Sequence, residues 1–386
     1  MRFPEFTEEW ETKKLGEIAT FSKGKGISKS DIEENGIIEC IRYGELYTHY
    51  REVINEIKSK TNVNPSTLVL SEKNDVIIPA SGETTIDIAT ASCVLKSGIA
   101  LGGDLNIIKT NNNGIFLSYY LNSKKKMEIA NLAQGISVVH LYSSQLASLS
   151  LSLPKLNEQN RISSFLALID ERIQTQNKII EQLETLIKGL CQKLAKNKQW
   201  QKQYLRDILT ERKETNKNNL PVFSVSVSKG VINQIEYLGR SFASKNTANY
   251  NIVHFGDIVY TKSPTGEFPY GIIKQSFIKE NVAVSPLYGV YLPKNIHIGS
   301  ILHYYFNSPI NANNYLHSLV QKGAKNTINI TNQRFLDNAI FLPTDEKELE
   351  NIALLLNTIN QKIQTEKVIF EQLEKQKKYL LQQMFV

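Results

Sequence analysis

The chain has 386 residues, of which 41% are hydrophobic, and this length predicts two domains of ordinary size with packed cores. Its formal net charge of +7 is uneven: residues 1–150 hold 16 basic and 18 acidic residues, whereas residues 198–340 hold 16 basic and 8 acidic residues. The second stretch therefore has the charge of a nucleic-acid binder, whereas the first would need a local basic patch or a basic partner to contact phosphates.

Cysteine usage and hydropathy limit the cellular context. The three cysteines, Cys40, Cys93 and Cys191, are far apart and show no C-x-x-C spacing, which predicts reduced thiols and no metal site. The first residues lack the apolar segment of a signal peptide, and no apolar run approaches the ~18 residues of a membrane span. We therefore expect a soluble, cytoplasmic protein.

Residues 1–150 predict a first globular unit of the α+β class. It begins with Trp10, followed by Leu15-Gly16-Glu17-Ile18, and a helical stretch is expected from Ile115 to Ala133. Segments with strand composition are separated by Gly, Asn and Ser, and they are Ile37–Arg42, Asp75–Pro79, Ser92–Leu95 and Asn106–Ile108.

Polar, basic and aromatic loop residues of this unit suit nucleic acid, because Lys and Arg neutralise phosphates and Arg or Ser can reach base edges. Gly24-Lys25-Gly26 is too short for a phosphate-binding loop and is also compatible with a basic turn. For any single residue, a role on the solvated surface stays an alternative. The candidate DNA-contacting residues here are Lys23, Lys25, Ser28, Lys29, Arg42, Tyr43 and Tyr47.

Residues 151–197 predict a helical spacer region. From Phe165 to Leu194 apolar residues recur at 3/4 spacing with Gln176 as a polar gap, a pattern that indicates a coiled-coil helix of roughly 45 Å. The residues expected to pack are Leu166, Ile169, Ile173, Ile180, Leu183, Ile187 and Leu190.

Residues 198–340 predict a second globular unit with similar composition. It begins with Trp200, followed by Leu205-Arg206-Asp207-Ile208, and a helix is expected between Ile298 and Leu319. Strands are predicted at Phe223–Val227, Asp257–Tyr260, Tyr270–Ile273 and Leu287–Tyr291. The candidate DNA-contacting residues are Lys229, Arg240, Lys245, Lys262, Ser263, Lys322, Lys325 and Asn326.

Residues 341–386 repeat the spacer region. Ile173-Gln174-Thr175 and Glu181-Gln182-Leu183-Glu184 recur as Ile363-Gln364-Thr365 and Glu371-Gln372-Leu373-Glu374, both at an offset of 190, and Trp10 and Trp200 share that offset. The residues expected to pack are Ile359, Ile363, Phe370, Leu373 and Leu380, with Glu366 and Lys377 as polar gaps. The repeat favours an antiparallel coiled-coil pair joining two α+β units, although each helix packing on its own domain is an alternative.

Motif searches find no catalytic constellation. The chain has no G-x4-G-K-[ST], no G-x-G-x-x-G after a strand, no H-E-x-x-H and no N-P-P-[FYW] of an amino-methyltransferase. The six histidines are scattered and are expected to be ordinary surface or core residues. We therefore expect no catalytic residue and no bound metal.

The layout resembles the specificity subunit of Type I restriction–modification enzymes over nearly the whole chain. After the first unit, the resemblance rests on Ala133-Gln134-Gly135-Ile136, Leu153-Pro154 and Glu158-Gln159 ahead of the long helix. After the second it rests on Gly323, Leu342-Pro343 and Glu348, although Leu349 replaces the glutamine. The candidate DNA-contacting residues also include Gln134 and His140.

This resemblance implies a non-catalytic protein with two target-recognition domains, each reading one half of a bipartite asymmetric DNA site. It implies that the helices set the spacer and dock two modification subunits, which bind S-adenosylmethionine, and that two restriction subunits use ATP and Mg. No cofactor is then expected on this chain. The main alternative is a coiled-coil scaffold whose globular domains bind protein partners, and a fused methyltransferase is a third reading.

Overall fold

The computed structural model describes residues 2–197, 199–240, 244, 246–322 and 328–385. The chain forms two compact units: unit 1 comprises Met1–Gln176 together with Ile369–Val386, and unit 2 comprises Asn177–Val368. Each unit thus contains a globular part and one segment from each of two long helices.

Unit 1 is built on a five-stranded sheet of order β2-β11-β7-β9-β4, in which β4 and β9 are parallel and the other pairs antiparallel. A four-stranded sheet has the order β5-β3-β10-β6. The strands are β1 (Glu11–Lys14), β2 (Ala19–Lys23), β3 (Ile38–Ile41), β4 (Val53–Ile54), β5 (Ser59–Thr61), β6 (Val69–Leu70), β7 (Val76–Pro79), β8 (Ser81–Gly82), β9 (Ser92–Val94), β10 (Ala100–Leu101), β11 (Leu105–Thr110), β12 (Val139–His140) and β13 (Ser150–Leu153).

The core of unit 1 lies between this sheet and its helices. Asn113 caps α4, since its side chain accepts a hydrogen bond from the backbone N–H of Phe116 at 2.8 Å. Phe116 is fully buried, which is worth roughly 2–3 kcal/mol. The helices are α1 (Leu15–Ile18), α2 (Glu45–Thr48), α3 (Thr85–Ile88), α4 (Gly114–Ser123), α5 (Lys126–Leu132), α6 (Ser143–Ala147) and the long α7 (Leu156–Lys196), with 3-10 turns at Lys29–Asp31 and Pro65–Thr67.

Unit 2 is built on a four-stranded antiparallel sheet of order β15-β22-β19-β20, alongside several two-stranded pairs. Its strands are β14 (Gln201–Tyr204), β15 (Leu209–Glu211), β16 (Phe223–Ser226), β17 (Gly230–Asn233), β18 (Asn251–Val253), β19 (Ile258–Tyr260), β20 (Ile273–Gln275), β21 (Val282–Val284), β22 (Gly289–Pro293), β23 (Gln321–Lys322), β24 (Ile328–Asn329) and β25 (Ala339–Leu342). Its helices are α8 (Leu205–Ile208), α9 (Gln234–Leu238), α10 (Ile296–Asn307), α11 (Pro309–His317), α12 (Asn332–Phe335) and the long α13 (Glu346–Met384).

The two units share one internal plan. In chain order β15, β19, β20 and β22 correspond to β2, β7, β9 and β11, and both sheets arrange these strands identically. In each unit the strand before the sheet pairs with the strand before the long helix, as β1 with β13 and β14 with β25. The sequence repeat is therefore a repeat of topology as well.

A matching contact explains why tryptophan recurs at an offset of 190. In unit 1 the indole N–H of Trp10 donates to Oε1 of Glu158, at 3.4 Å, and in unit 2 Trp200 donates to Oε1 of Glu348, at 3.0 Å. Each glutamate lies in the first turn of a long helix, where a negative charge stabilises the helix dipole. The contact fastens the start of each unit to its helix.

Within each unit, the two long-helix segments run antiparallel. In unit 2 Glu184 of α7 contacts Lys367 of α13 and Cys191 packs with Leu356, so residue numbers rise along one helix as they fall along the other; in unit 1 Asp170 contacts Lys377. This confirms the predicted fold class, α+β units with long helices packed as an antiparallel coiled-coil pair.

Two expected boundaries are wrong. The predicted helix Ile115–Ala133 is instead two helices, α4 and α5, which are separated at Lys124–Lys125, just after the hydroxyl of Ser123 bonds back to the carbonyl of Tyr119 at 2.8 Å. The predicted strand Tyr270–Ile273 begins only at Ile273, because Gly271 has a φ of +103° that a strand does not permit. The helix expected between Ile298 and Leu319 is confirmed as α10, and a second helix, α11, begins at Pro309.

Candidate nucleic-acid interface

One open cavity of about 640 Å³ in unit 1, here called the Arg42 cavity, brings together four of the candidate residues. They come from three chain segments that the sheets place side by side: the loop after β2, the loop after β3 and the loop after β10. The cavity is lined by Gly26, Ile27, Ser28, Lys29, Asp31, Arg42, Tyr43, Gly44, Gly102, Gly103 and Asp104.

Arg42 is held in place by a buried carboxylate. Oε1 of Glu45 lies 3.4 Å from Nη2 of Arg42, and Oε2 of Glu45 accepts the backbone N–H of Arg42 at 2.8 Å. Glu45, which is 5% exposed, also accepts a short hydrogen bond from the hydroxyl of Ser59. Nε of Arg42 is buried and has no hydrogen-bond partner in the described part of the chain. Arg42 is thus fixed at one edge while it keeps donors for a ligand.

The loop carrying Lys25, Ser28 and Lys29 has a defined shape. The backbone N–H and hydroxyl of Ser28 both donate to Oδ2 of Asp31, at 2.7 and 2.6 Å, and these hydrogen bonds lower the pKa of that carboxyl group. Gly24 is required here, since a Cβ would lie 2.0 Å from the carbonyl oxygen of Gly102. The lysines are exposed, so their ammonium groups can meet a polyanion.

A second group of candidates lies at the β8–β12 pair. Lys23 lies over the ring of Tyr142 at 5.9 Å, and the rings of Tyr142 and His140 stack with centroids 6.4 Å apart. Gln134 and His140 exchange backbone hydrogen bonds of 3.0 and 2.7 Å. The structure therefore places Lys23, Gln134 and His140 together, next to a hairpin whose tip carries the fully exposed Ile136.

Tyr47 does not line the Arg42 cavity, although it neighbours Tyr43. It lines a different cavity, of about 380 Å³, together with Tyr50, Arg51 and Lys377. Burial raises the pKa of Tyr47, and the neighbouring Tyr43 raises it further.

The candidates of unit 2 are more scattered. Lys229 is exposed in the turn between β16 and β17 and lies 5.7 Å from the ring of Tyr237. Arg240 is exposed just after α9. Lys245, Lys325 and Asn326 lie outside the described residues, and Lys322 lies in β23 with a side chain that is not described.

Lys262 and Ser263 follow β19 at the end of the sheet. Lys262 has a φ of +61°, a conformation that a non-glycine residue adopts at a cost of order 1 kcal/mol. Burial lowers the pKa of its ammonium group, while Glu211 partly opposes that effect. Strain and desolvation together mark Lys262 as a functional candidate.

Sequence reasoning did not single out Glu45, Ser59 or Asp104. Glu45 and Ser59 are distant in sequence and meet only because β3 and β5 pair. Asp104 is exposed on the wall of the Arg42 cavity after Gly102-Gly103, and an acidic residue after two glycines was a signal that could have found it.

The residues expected to pack between the helices lie on the inner side of each segment. In unit 1 Leu166, Ile173, Leu373 and Leu380 are buried, and Ile169 and Phe370 partly so; in unit 2 Ile180, Ile359 and Ile363 are buried, and Leu183, Ile187 and Leu190 partly so. Lys377, expected to be a polar gap, is buried and paired with two carboxylates.

The described residues contain neither a metal-binding cluster nor a candidate membrane span. No group of three or more His, Cys, Asp or Glu residues there could hold a metal ion. No described helix is both long and apolar enough to cross a membrane.

Comparison with known proteins identifies the domain. Residues 7–185 match the family model of the Type I restriction modification DNA specificity domain. The Type I restriction enzyme MjaVIII specificity subunit from Methanocaldococcus jannaschii is 26% identical over 189 residues, which are 48% of this chain and 42% of that relative. The matched region thus spans less than half of the relative's length.

Solved structures extend the likeness to the whole fold. The S subunit of a Type I restriction–modification system from M. genitalium superposes with a TM-score of 0.65 at 14% identity, covering 98% of this chain and 96% of that one. A chain from a structure on complex assembly and conformational transition of the type I R-M system gives a TM-score of 0.51 at 14% identity, covering 98% of both chains. Residues 7–185 are therefore similar to the Type I restriction modification DNA specificity domain, and the fold of the whole chain is that of the solved S subunit.

Proposed function

We propose that the chain is the sequence-specific DNA-binding subunit of a Type I restriction–modification complex, in which each unit reads one half of a bipartite, asymmetric site. The observation that carries this proposal is that two units with one strand order present different side chains in corresponding loops. After β2 the chain continues as Gly24-Lys25-Gly26, whereas after β15 it continues as Arg212-Lys213-Glu214. A repeated scaffold with unlike loops suits the reading of two unlike sequences.

The side chains divide by the part of DNA that they suit. Lys23, Lys25 and Lys29 are exposed and can neutralise phosphates, which position a protein without reading sequence. Arg42 is partly recessed and fixed by Glu45, so it suits the edge of a base. In unit 2 Lys262 has the corresponding recessed character.

Partners and cofactors follow from the same proposal. The long helices set the distance between the half-sites and dock two modification subunits, which bind S-adenosylmethionine and transfer the methyl group. Two restriction subunits supply ATP-driven cleavage, and this chain performs recognition without catalysis. Since the proposed target is cellular DNA, we expect the protein in the cytoplasm.

The proposal is tested by expressing the chain with its modification subunits in a host that lacks other adenine methyltransferases, followed by methylome sequencing. We expect one methylated motif with two specified halves and an unspecified gap of constant length. Chain expressed without those subunits is the control and should leave the genome unmethylated.

Two outcomes would contradict the proposal. One is an assembled complex that methylates no motif; the other is a motif without a gap. Purified complex that binds protein partners but does not retain any genomic DNA fragment would favour the scaffold reading instead.

A further inference from the structure

Three charged side chains meet in the interior of unit 1, and they are here called the Lys377 cluster: Glu52, Asp170 and Lys377. Nζ of Lys377 lies 3.0 Å from Oε2 of Glu52 and 2.7 Å from Oδ1 of Asp170. The three side chains are 15%, 8% and 8% exposed, respectively for Glu52, Asp170 and Lys377. Charged side chains are rarely buried this deeply unless they are paired, and burying them costs solvation free energy that apolar residues would not lose.

The cluster joins the recognition sheet to both helices. Glu52 directly precedes β4 at the edge of the five-stranded sheet, and its carbonyl accepts from the backbone N–H of Cys93 and the hydroxyl of Ser118, both at 2.8 Å. Asp170 belongs to α7 and Lys377 to α13. One ammonium group thus ties sheet edge and helix pair together.

Tyr119 of α4 completes the arrangement. Its hydroxyl donates to Oδ2 of Asp170 at 2.5 Å, and Nζ of Lys377 lies 5.5 Å from its ring centroid. Burial works to lower the pKa of Lys377, but Glu52 and Asp170 outweigh that effect and raise it, so the lysine stays charged. These hydrogen bonds and ion pairs come from the segment before β4 and from α4, α7 and α13. Because they depend on direction, they restrict the tilt of the sheet on the helices more than apolar packing alone does.

The second copy of the repeat does not use these charges. At the offset of 190, Ile187 stands for Lys377 and Asn360 for Asp170. Ile187 lies in an apolar cluster with Cys191, Tyr304 and Leu356. There the hydroxyl of Tyr304 donates to Asn357 at 3.1 Å, and Asn357 donates to Ser300 at 3.3 Å. Unit 2 therefore fastens its helix with neutral groups.

We propose that the Lys377 cluster is a positioning device, which fixes the recognition sheet of unit 1 on its helix segments and so sets the gap at which its half-site is read. Its residues touch no base and act through the orientation of the sheet. This inference rests on the proposed function. It predicts that a mutation in the cluster can weaken the preference for the normal gap without changing the sequence of either half-site.

The test is the double variant D170N/K377I, which copies the neutral pair of the second repeat. Glu52 loses its cation in this variant, but it is 15% exposed at an open cavity, where water can solvate its carboxylate. In unit 2 Tyr304 forms a side-chain hydrogen bond with Asn360, and Tyr119 can donate in the same way to the amide introduced at position 170, so the variant removes the ion pairs and keeps this neutral contact. In the complex with the modification subunits, we expect unchanged half-site sequences and a loss of about tenfold in preference for the normal gap over gaps one base pair longer or shorter. The melting temperature should change by less than about 5 °C.

The matched control is E374Q. It removes the nearby exposed ion pair between Glu374 and Arg51, at 3.2 Å, and should leave the gap unchanged. A folded double variant with the normal gap would overturn the inference, as would an altered base preference in a half-site. If the double variant does not fold, the E52Q variant provides the test. It keeps the Asp170–Lys377 pair, so we expect a smaller loss of preference for the normal gap, and no loss would overturn the inference. A wild-type complex without a bipartite motif would instead refute the proposed function.

Discussion

At the scale of residues, the polar side chains inside this protein are held by specific partners. Glu45 collects three donors beside the Arg42 cavity, and buried Lys274 donates to Asn307. An unpaired buried polar group costs about 1–3 kcal/mol, so these contacts stabilise the fold as well as orienting the side chains. Predictions for these residues can therefore separate reading of DNA from stability.

Replacing Arg42 by alanine should relax the first half-site at one base pair. A fixed guanidinium that donates to a base contributes about 1–3 kcal/mol of discrimination. Binding of the assembled complex to a set of oligonucleotides with each position varied would measure it.

Lys29→Ala is the control for Arg42, because an exposed lysine should contribute through phosphates. It should weaken binding evenly across sequences and lower the salt slope by about 1. Unchanged discrimination at every position in Arg42→Ala would disprove the assignment of Arg42 to a base.

His303 makes the stability of unit 2 sensitive to acid. Burial, together with the nearby charge of Lys274, lowers its pKa from 6.5 to about 3. Nδ1 of His303 accepts the backbone N–H of Gln275 at 3.0 Å, which a proton on that nitrogen would prevent. Below about pH 6.5 the unfolded chain binds a proton that the folded chain does not, so stability falls as pH falls from 6.5 towards 3.

Lowering the pH from 7 to 5 should therefore cost unit 2 about 2 kcal/mol through this residue. The free energy of unfolding against pH would measure it, and His303→Gln should remove this part of the dependence. His297→Gln, on the same helix but partly exposed, should keep it. Equal pH dependence in wild type and His303→Gln would contradict the assignment.

At the scale of elements, the long helices combine an apolar stripe with a few buried polar positions. Leu166, Ile173 and Leu380 supply apolar burial, whereas Asp170 and Lys377 supply a direction-dependent contact. Polar residues inside a coiled-coil stripe commonly cost stability and specify one register. The helices thus carry packing and alignment together.

Inserting four residues after Glu184 and four after Lys367 should lengthen the gap between half-sites. These two residues are paired at 2.6 Å, so matched insertions keep neighbouring contacts aligned. One added turn of about 6 Å corresponds to about two base pairs, and methylome sequencing would report the gap.

The half-site sequences should stay as they were after this insertion. A four-residue insertion at Gly98, in an exposed turn of unit 1, is the control and should leave the gap unaltered. An unchanged gap in the helix variant would exclude a spacer role for the helices.

At the scale of the whole molecule, one plan is used twice with different details. The strand order and the tryptophan–glutamate contact recur in both units, while the loops at the sheet ends differ. Repetition of the scaffold preserves folding, and variation of the loops changes what is bound.

Exchange of residues 198–340 for the equivalent unit of a relative should therefore change one half-site only. Because the first unit has its own core and sheet, its half-site and the gap should persist. Methylomes of parent and hybrid would show this, and a change in both halves would argue against independent reading by the two units.

Much of the fold could be predicted from the sequence. The offset of 190 and the stripes ending in Leu190 and Leu380 are local patterns, and they predicted two α+β units with paired helices. Strand bounds near Gly271 were missed, because a positive φ is not visible in composition. Of the candidate site, residue types in the loops could be named, but their grouping could not.

The sequence by itself determined the resemblance to Type I specificity subunits, the repeat and the helical stripes, since each depends on the order of residues along the chain. Only the tertiary structure decided that Ser28, Lys29, Arg42 and Tyr43 line one cavity while Tyr47 lies in another. Only the tertiary structure shows that Lys377, a polar gap in the sequence pattern, pairs with two carboxylates. The contact between Glu52 and Lys377 joins residues more than 300 positions apart, and a local sequence pattern cannot predict a contact over such a separation.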